Sequence, residues 1–169
     1  FNVENLAVTA GVLLAEGHAL ARIAAALARC TAPPGRMEVV PGRNGPRVIV
    51  DFAHTPQALE RALVALRAQA PRQLWCVFGC GGDRDPGKRR AMGEIARARA
   101  DRVIVTDDNP RQEDPRAIVE AILAGTGPGP AVEVIHDRAA AIRRAILGAD
   151  AADLVLIAGK GHETGQIIG

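Results

Sequence analysis

Arginine, asparagine and glutamate stand in this chain directly after short apolar runs, where packing has no use for them. Arg84 closes Gly79-Cys-Gly-Gly-Asp-Arg84, Asn109 and Arg111 lie in Asp107-Asp-Asn-Pro-Arg111, and Glu163 ends Gly159-Lys-Gly-His-Glu163. A guanidinium offers a carboxylate a planar fork of donors, and an amide adds both a donor and an acceptor. Arg84, Asn109 and Arg111 therefore suit a carboxylate, and Glu163 suits an ammonium. Together they would hold the zwitterionic head of an amino acid. A further stretch, Asp51-Phe-Ala-His54, supplies a carboxylate able to accept two hydroxyl hydrogen bonds, as a ribose requires. Plainer roles compete. Asp51 and His54 could cap the helix that follows, Glu163 could be solvated, and Asn109 with Arg111 could form only a capped turn. Lys160, between glycines, could meet phosphate or solvent, whereas His18 and His136 read as structural.

The elements that must position these residues follow from periodicity. Residues 3–29 carry an apolar stripe broken at Gly17 and read as two helices, and residues 31–35 are a linker by composition. Strand-like runs cover 37–40, 47–51, 73–78, 102–106, 131–135 and 153–158. Helical patterns cover 55–70, 87–100, about 115–124 and 137–147, with 125–130 as a loop. Pro56 and Pro115 fall in first helical turns, and Asp114 is a good N-cap. The alternation of strand and helix predicts an α/β, Rossmann-like three-layer domain with a mostly parallel sheet, preceded by a short helical segment. In such a sheet the carboxyl ends of the strands share one edge, where ligands bind. Asp51, His54, Arg84, Asn109, Arg111 and Glu163 would then converge on one crevice.

Two glycine-rich likenesses fall short. Gly82-Asp-Arg-Asp-Pro-Gly87-Lys88 has P-loop spacing after a strand, but Arg89 stands where a P-loop needs Ser or Thr, and Asp83 and Asp85 would repel phosphate. Gly79 and Gly81 begin a dinucleotide fingerprint whose third glycine is replaced by Arg84.

Bulk properties narrow the function classes. The chain has 169 residues, 48% of them apolar, enough for one domain with a sizeable core. A net charge of +2 and only 2% aromatic residues argue against a nucleic-acid groove. No apolar run reaches membrane-span length. Cys30, Cys76 and Cys80 are odd in number and not in a metal-ligand spacing, which fits a reducing cytoplasm. Beginning at Phe1 without Met, and stopping straight after an apolar run, the chain is expected to be a piece of a longer polypeptide.

Taken together, Asn2-x-x-Asn5, Gly35-Arg-Met-Glu38, Asp51-Phe-Ala-His-Thr-Pro56, Phe78-Gly-Cys-Gly-Gly-Asp-Arg-Asp85, Asp108-Asn-Pro-Arg111 and Gly159-Lys-Gly-His-Glu163 occur in an order that resembles the Mur ligases of peptidoglycan synthesis. The resemblance is greatest to those that add meso-2,6-diaminopimelate to UDP-N-acetylmuramoyl-L-alanyl-D-glutamate. It implies that residues 1–34 are the helical tail end of a central ATPase domain, and that 35–169 are a C-terminal amino-acid-binding domain, truncated at its end. It further implies an ATP- and Mg2+-dependent ligase in which the γ-phosphate passes to the D-glutamate carboxylate and the incoming amine attacks the acyl phosphate. Arg84, Asn109, Arg111, Gly159 and Glu163 resemble the pocket for the distal end of meso-diaminopimelate. Asn2, Asn5, Arg36, Asp51 and His54 resemble nucleotide contacts. Relatives that add L-lysine usually lack the arginine at the position of Arg111, so Arg111 favours diaminopimelate. By the same likeness the P-loop and magnesium ligands lie outside this chain, and residues 1–169 would not catalyse alone. The alternatives are an L-lysine-adding relative and a non-catalytic amino-acid or nucleotide-binding module; a nicotinamide oxidoreductase lacks its third glycine.

Overall fold

A computed structural model describes residues 2–168 apart from 43 and 71, without the side chains of residues 2 and 3. Its contacts divide the chain into two compact units, Phe1–Ala32 and Pro33–Gly169. The first contains helices α1 (Asn2–Ala15) and α2 (Leu20–Leu27), separated by Gly17 in the left-handed region at φ +88°.

The second unit alternates strand and helix. It runs β1 (Glu38–Val40), β2 (Arg47–Asp51), α3 (Pro56–Arg67), β3 (Leu74–Phe78), α4 (Gly87–Arg99), β4 (Arg102–Val105), α5 (Pro115–Thr126), β5 (Val132–Val134), α6 (Arg138–Gly148) and β6 (Leu154–Ala158). The helix starts follow local chemistry: Thr55, Asp114 and Asp137 each accept a backbone N–H in the first turn, and Pro56 and Pro115 occupy the next position. Residues 125 and 126, expected in a loop, complete α5 instead. Gly125 sits where a side chain would strike the Arg90 carbonyl of α4, so the close packing of these helices carries α5 past the point where glycine suggests a stop.

The six strands lie in the order β1-β2-β6-β3-β4-β5, antiparallel only between β1 and β2. Alternate strand residues supply two cores. Ile49, Cys76, Phe78, Val103, Val105, Leu154 and Leu156 pack under α3, α4 and α5, while Val48, Trp75, Val77, Ile104, Val155 and Ile157 pack under α6. Buried on both faces, β3 and β6 are continuous apolar runs.

β3 leads to α4 on one face, and β6 is reached, at its amino end, from α6 on the other. Open sheets of this kind place their ligands outside the carboxyl ends of the strands. The registers Asp51↔Ala158, Val77↔Ile157 and Phe78↔Val105 bring the carboxyl ends of β2, β6, β3 and β4 to one rim. Among the described residues no helix is long and apolar enough to cross a membrane.

Candidate functional site

A crevice of about 430 Å3 opens at this rim, and His54, Arg84, Asn109, Arg111, Gly159 and Glu163 all line it. The loop after β3 forms one wall, with Lys88 from α4; the loop after β4 forms the next; and the loop after β6 forms the third. Arg84, Lys88 and Arg111 contribute positive charge, and Asp85, Asp108 and Glu163 contribute negative charge. A ligand with both signs of charge matches such a lining better than a simple anion.

Arg111 is half-buried in the left-handed region, φ +54°. Its backbone N–H donates to Ile167 O, and a parallel bridge joins it to Ile168. Its Nη1 donates to Gly82 O at 2.8 Å and Asn109 O at 3.3 Å, joining the loops after β3 and β4. The Nε and Nη2 groups hold no protein acceptor among the described residues, so one edge of the fork remains for a carboxylate. Arg84 is exposed, and among the described residues only its Nη1 is engaged, by Asp83 O at 3.2 Å. Gly159 has φ +110°, and a side chain there would press on Asp108 Oδ2, so its lack of a Cβ keeps this corner open.

Asn109 plays a different part from the one its type suggests. It is 5% exposed, its Oδ1 accepts from Lys160 Nζ and Ile167 N, both at 2.8 Å, and its Nδ2 donates to Glu163 Oε2 at 2.9 Å. It ties three segments together, leaving one Nδ2 proton for a ligand. Glu163 Oε2 also accepts from Lys160 Nζ at 2.9 Å, while Oε1 has no protein partner among the described residues. Burial pushes the Glu163 carboxyl up, but the bonds from Lys160 and Asn109, with Arg111's charge, outweigh it and hold the group below the usual glutamate range.

Asp51 is held by the backbone around it. It is 6% exposed, and its oxygens accept from Met37 N at 2.8 Å and Ala53 N at 2.9 Å. Both anchor backbone, in the segment before β1 and in the turn after β2, and although each oxygen keeps a further lone pair, Asp51 does not line the crevice. Nor does it cap α3, which Thr55 does. His54 lines the crevice, with Nδ1 against Phe52 O at 2.8 Å and its ring edge-on to Phe52. Arg36 lies over the same Phe52 ring at 4.5 Å. Asn5 is exposed on α1, in the other compact unit, and the Asn2 side chain lies outside the described residues.

Sequence reasoning missed the scaffold beneath these groups. Arg89, 5% exposed, donates to Glu113 Oε1 at 2.9 Å and lies 2.8 Å from Oε2; Asp83 N donates to the same carboxylate at 2.6 Å. Only its place at the missing P-loop hydroxyl marked Arg89. Three loop amides meet protein acceptors: Gly82 N on Asn109 O, Asp83 N on Glu113, and Gly87 N on Asp85. They cannot cradle a phosphate, in keeping with the departures from a P-loop at Asp83, Asp85 and Arg89. Lys160, left between phosphate and solvent by its sequence, is in fact interior, and Arg138 Nη2 supports the end of β6 by donating to Ala158 O at 2.8 Å. His136 joins Asp107 at 2.8 Å and His18 lies near Glu16, consistent with structural roles.

Residues 35–161 match the family model described as Mur ligase, glutamate ligase domain. A solved structure of UDP-N-acetylmuramoyl-L-alanyl-D-glutamate–2,6-diaminopimelate ligase is 43% identical, with a TM-score of 0.75, over 99% of this chain and 34% of that one. Folylpolyglutamate synthase from Thermotoga maritima is 27% identical, with a TM-score of 0.65, over 92% of this chain and 35% of that one. The bifunctional folylpolyglutamate synthase/dihydrofolate synthase of Yersinia pestis, complexed with AMPPNP and Mn ion, is 26% identical, with a TM-score of 0.59, over 78% of this chain and 29% of that one. The chain thus spans about a third of the length of these structures.

Proposed function

The chain belongs to the Mur ligase family, and from that premise we propose that it is the amino-acid-binding part of an ATP-dependent ligase that adds meso-2,6-diaminopimelate to UDP-N-acetylmuramoyl-L-alanyl-D-glutamate. Residues 1–34 then belong to the end of a central ATPase domain. The observation that carries this reading is the crevice itself, in which an open guanidinium edge of Arg111, the exposed Arg84 and an unpartnered oxygen of Glu163 come together. A carboxylate and an ammonium on one carbon, as at the distal end of diaminopimelate, answer that pair of charges. L-Lysine would leave Arg111 without a partner, and L-glutamate would leave Glu163 without one.

In the complete protein, ATP would phosphorylate the peptide carboxylate, and the free amine of the bound amino acid would displace phosphate to form the new amide. This chain's contribution is to bind and orient the amine's carrier; Arg36 and His54 are available beside Phe52 for the nucleotide. The Mg2+ that accompanies ATP would be held mainly by the other domain and the nucleotide phosphates. The unpaired thiols of Cys30, Cys76 and Cys80 agree with a cytoplasmic setting.

The test is peptide formation by the complete protein with ATP, the UDP-linked dipeptide and, in turn, meso-diaminopimelate, L-lysine and L-glutamate. Preferential use of meso-diaminopimelate is expected. Equal use of lysine would remove the argument from Arg111, preference for glutamate would remove that from Glu163, and no ATP turnover coupled to peptide formation would leave a binding module.

A further inference from the structure

We propose that Lys160 is a positioning residue for amino-acid recognition: its ammonium fixes Glu163 so that one carboxylate oxygen is spent internally and the other faces the ligand's ammonium. The proposal rests on the ligase reading above and assigns a task within that site.

Lys160 follows Gly159 at the end of β6 and is 9% exposed. A lysine so enclosed keeps its charge only if acceptors surround it. Two do: Glu163 Oε2 at 2.9 Å and Asn109 Oδ1 at 2.8 Å. The turn between Lys160 and Glu163 is closed by Glu163 N donating to Lys160 O at 2.9 Å, which brings both side chains to the same side. Asn109 completes the triangle. Because its Oδ1 receives both Lys160 Nζ and Ile167 N, its Nδ2 must face Glu163, so the orientation of the amide is settled by its partners. Oε2 of Glu163 therefore takes two donors, and the carboxylate cannot rotate without breaking both. What remains for a ligand is Oε1, in one place.

The charges around Glu163 favour this arrangement. Lys160 faces it from its own loop, Arg111 from the loop after β4, and Arg138 from α6, against the acids Asp85 and Asp108 on the crevice wall. Remove Lys160, and burial is opposed by fewer partners; Glu163 protonates more readily and Asn109 alone is left to hold Oε2. Lys160 also takes the place at Oε2 that a ligand's ammonium would otherwise contest, leaving one register for the amino-acid head.

The test uses the complete ligase and Lys160→Met, which keeps the stem and removes the charge. The expected result is a rise in KM for meso-diaminopimelate of about tenfold or more, with KM for ATP and kcat changed about twofold at most. The KM deficit should widen as pH is lowered from about 6 to about 4.5, the range in which a glutamate that has lost a donor begins to protonate ahead of the parent's. Lys160→Arg should recover part of the loss. The double variant with Glu163→Gln should bind no worse than Glu163→Gln alone, since both act on one carboxylate. A deficit independent of pH, or one that adds to that of Glu163→Gln, would overturn the proposal. So would loss of folding in both Lys160→Met and Lys160→Gln, which would assign Lys160 to stability. A parent enzyme that does not use meso-diaminopimelate overturns the ligase reading and this proposal together. Normal KM in Lys160→Met with an impaired Glu163→Gln overturns only the role of Lys160.

Discussion

Arg111 combines backbone strain with the binding role proposed for it. A non-glycine residue at φ +54° stores on the order of 1 kcal/mol, and it stays there because its N–H and Nη1 are both fixed by neighbouring backbone. Two substitutions separate these effects. Arg111→Ala and Arg111→Gly both lose the fork, so in the complete ligase each should raise KM for meso-diaminopimelate by about tenfold to a hundredfold. Use of L-lysine should change little, since it brings no second carboxylate. Arg111→Gly should be about 1 kcal/mol more stable to unfolding than Arg111→Ala, because glycine tolerates the left-handed backbone. Substrate titration and thermal melting read the two separately. At this scale the sequence reveals a charged residue stranded at a strand end, which is why Arg84, Arg111 and Glu163 were legible. It does not reveal which acceptors the backbone has already taken. Asp51 looks free in sequence and is buried against the Met37 and Ala53 amides, whereas Lys160, open to phosphate or solvent in sequence, is enclosed.

The glycine-rich loop after β3 and the loop after β4 are held together at element scale by a seam no motif describes. Glu113 binds Asp83 N–H and Arg89, and these bonds, the backbone one foremost, hold its carboxyl below the usual range against burial. A carboxyl depressed in the folded state stabilises it above the unfolded value and ceases to do so as pH falls through the folded value. The seam should therefore be intact at neutral pH and weaken below about pH 4. Thermal midpoints measured against pH should fall more steeply on the acid side for the parent than for Glu113→Gln, which has no carboxylate to titrate. Beneath the seam, α4 and α5 touch at Gly93 and Gly125, where a Cβ would run into Ile122 O and Arg90 O respectively. Backbone cannot step aside as a side chain can, so Gly93→Ala should cost about 1–3 kcal/mol in chemical denaturation. Caps and periodicity gave the type and order of every element. The overshoot of α5 into residues 125 and 126 was not legible, since glycine normally ends a helix and only the partner helix reverses that preference.

For the unit Pro33–Gly169 as a whole, alternation of strand and helix implied a parallel sheet, but not that the last strand would enter between β2 and β3. That insertion requires α6 to cover the opposite face from α3, α4 and α5, a choice made by packing between residues distant in sequence. Its consequence is that β3 joins two cores that need not melt together. The strand reports on both: Trp75, the chain's only tryptophan, faces α6 and donates to Asp153 Oδ2 at 3.3 Å, while Cys76 faces α3, α4 and α5. Burial pushes the Cys76 thiol up to about 12, with Arg138's charge opposing, and the Cys80 thiol up to about 11, opposed by Lys88 and Arg89. In the native protein at about pH 8 a thiol reagent should therefore modify exposed Cys30 alone, because the other two are both enclosed and protonated. With Cys30 blocked beforehand, denaturant titration should expose Cys76 and Cys80 at the same midpoint at which Trp75 fluorescence changes, as one cooperative transition demands. If the fluorescence midpoint came first, α6 and its side of the sheet would open as a separate unit, and the Ala158 carbonyl held by Arg138 would be freed before the rest of the rim. Coincidence of the two signals would mean that the crevice is built on a scaffold that opens only when the whole sheet does.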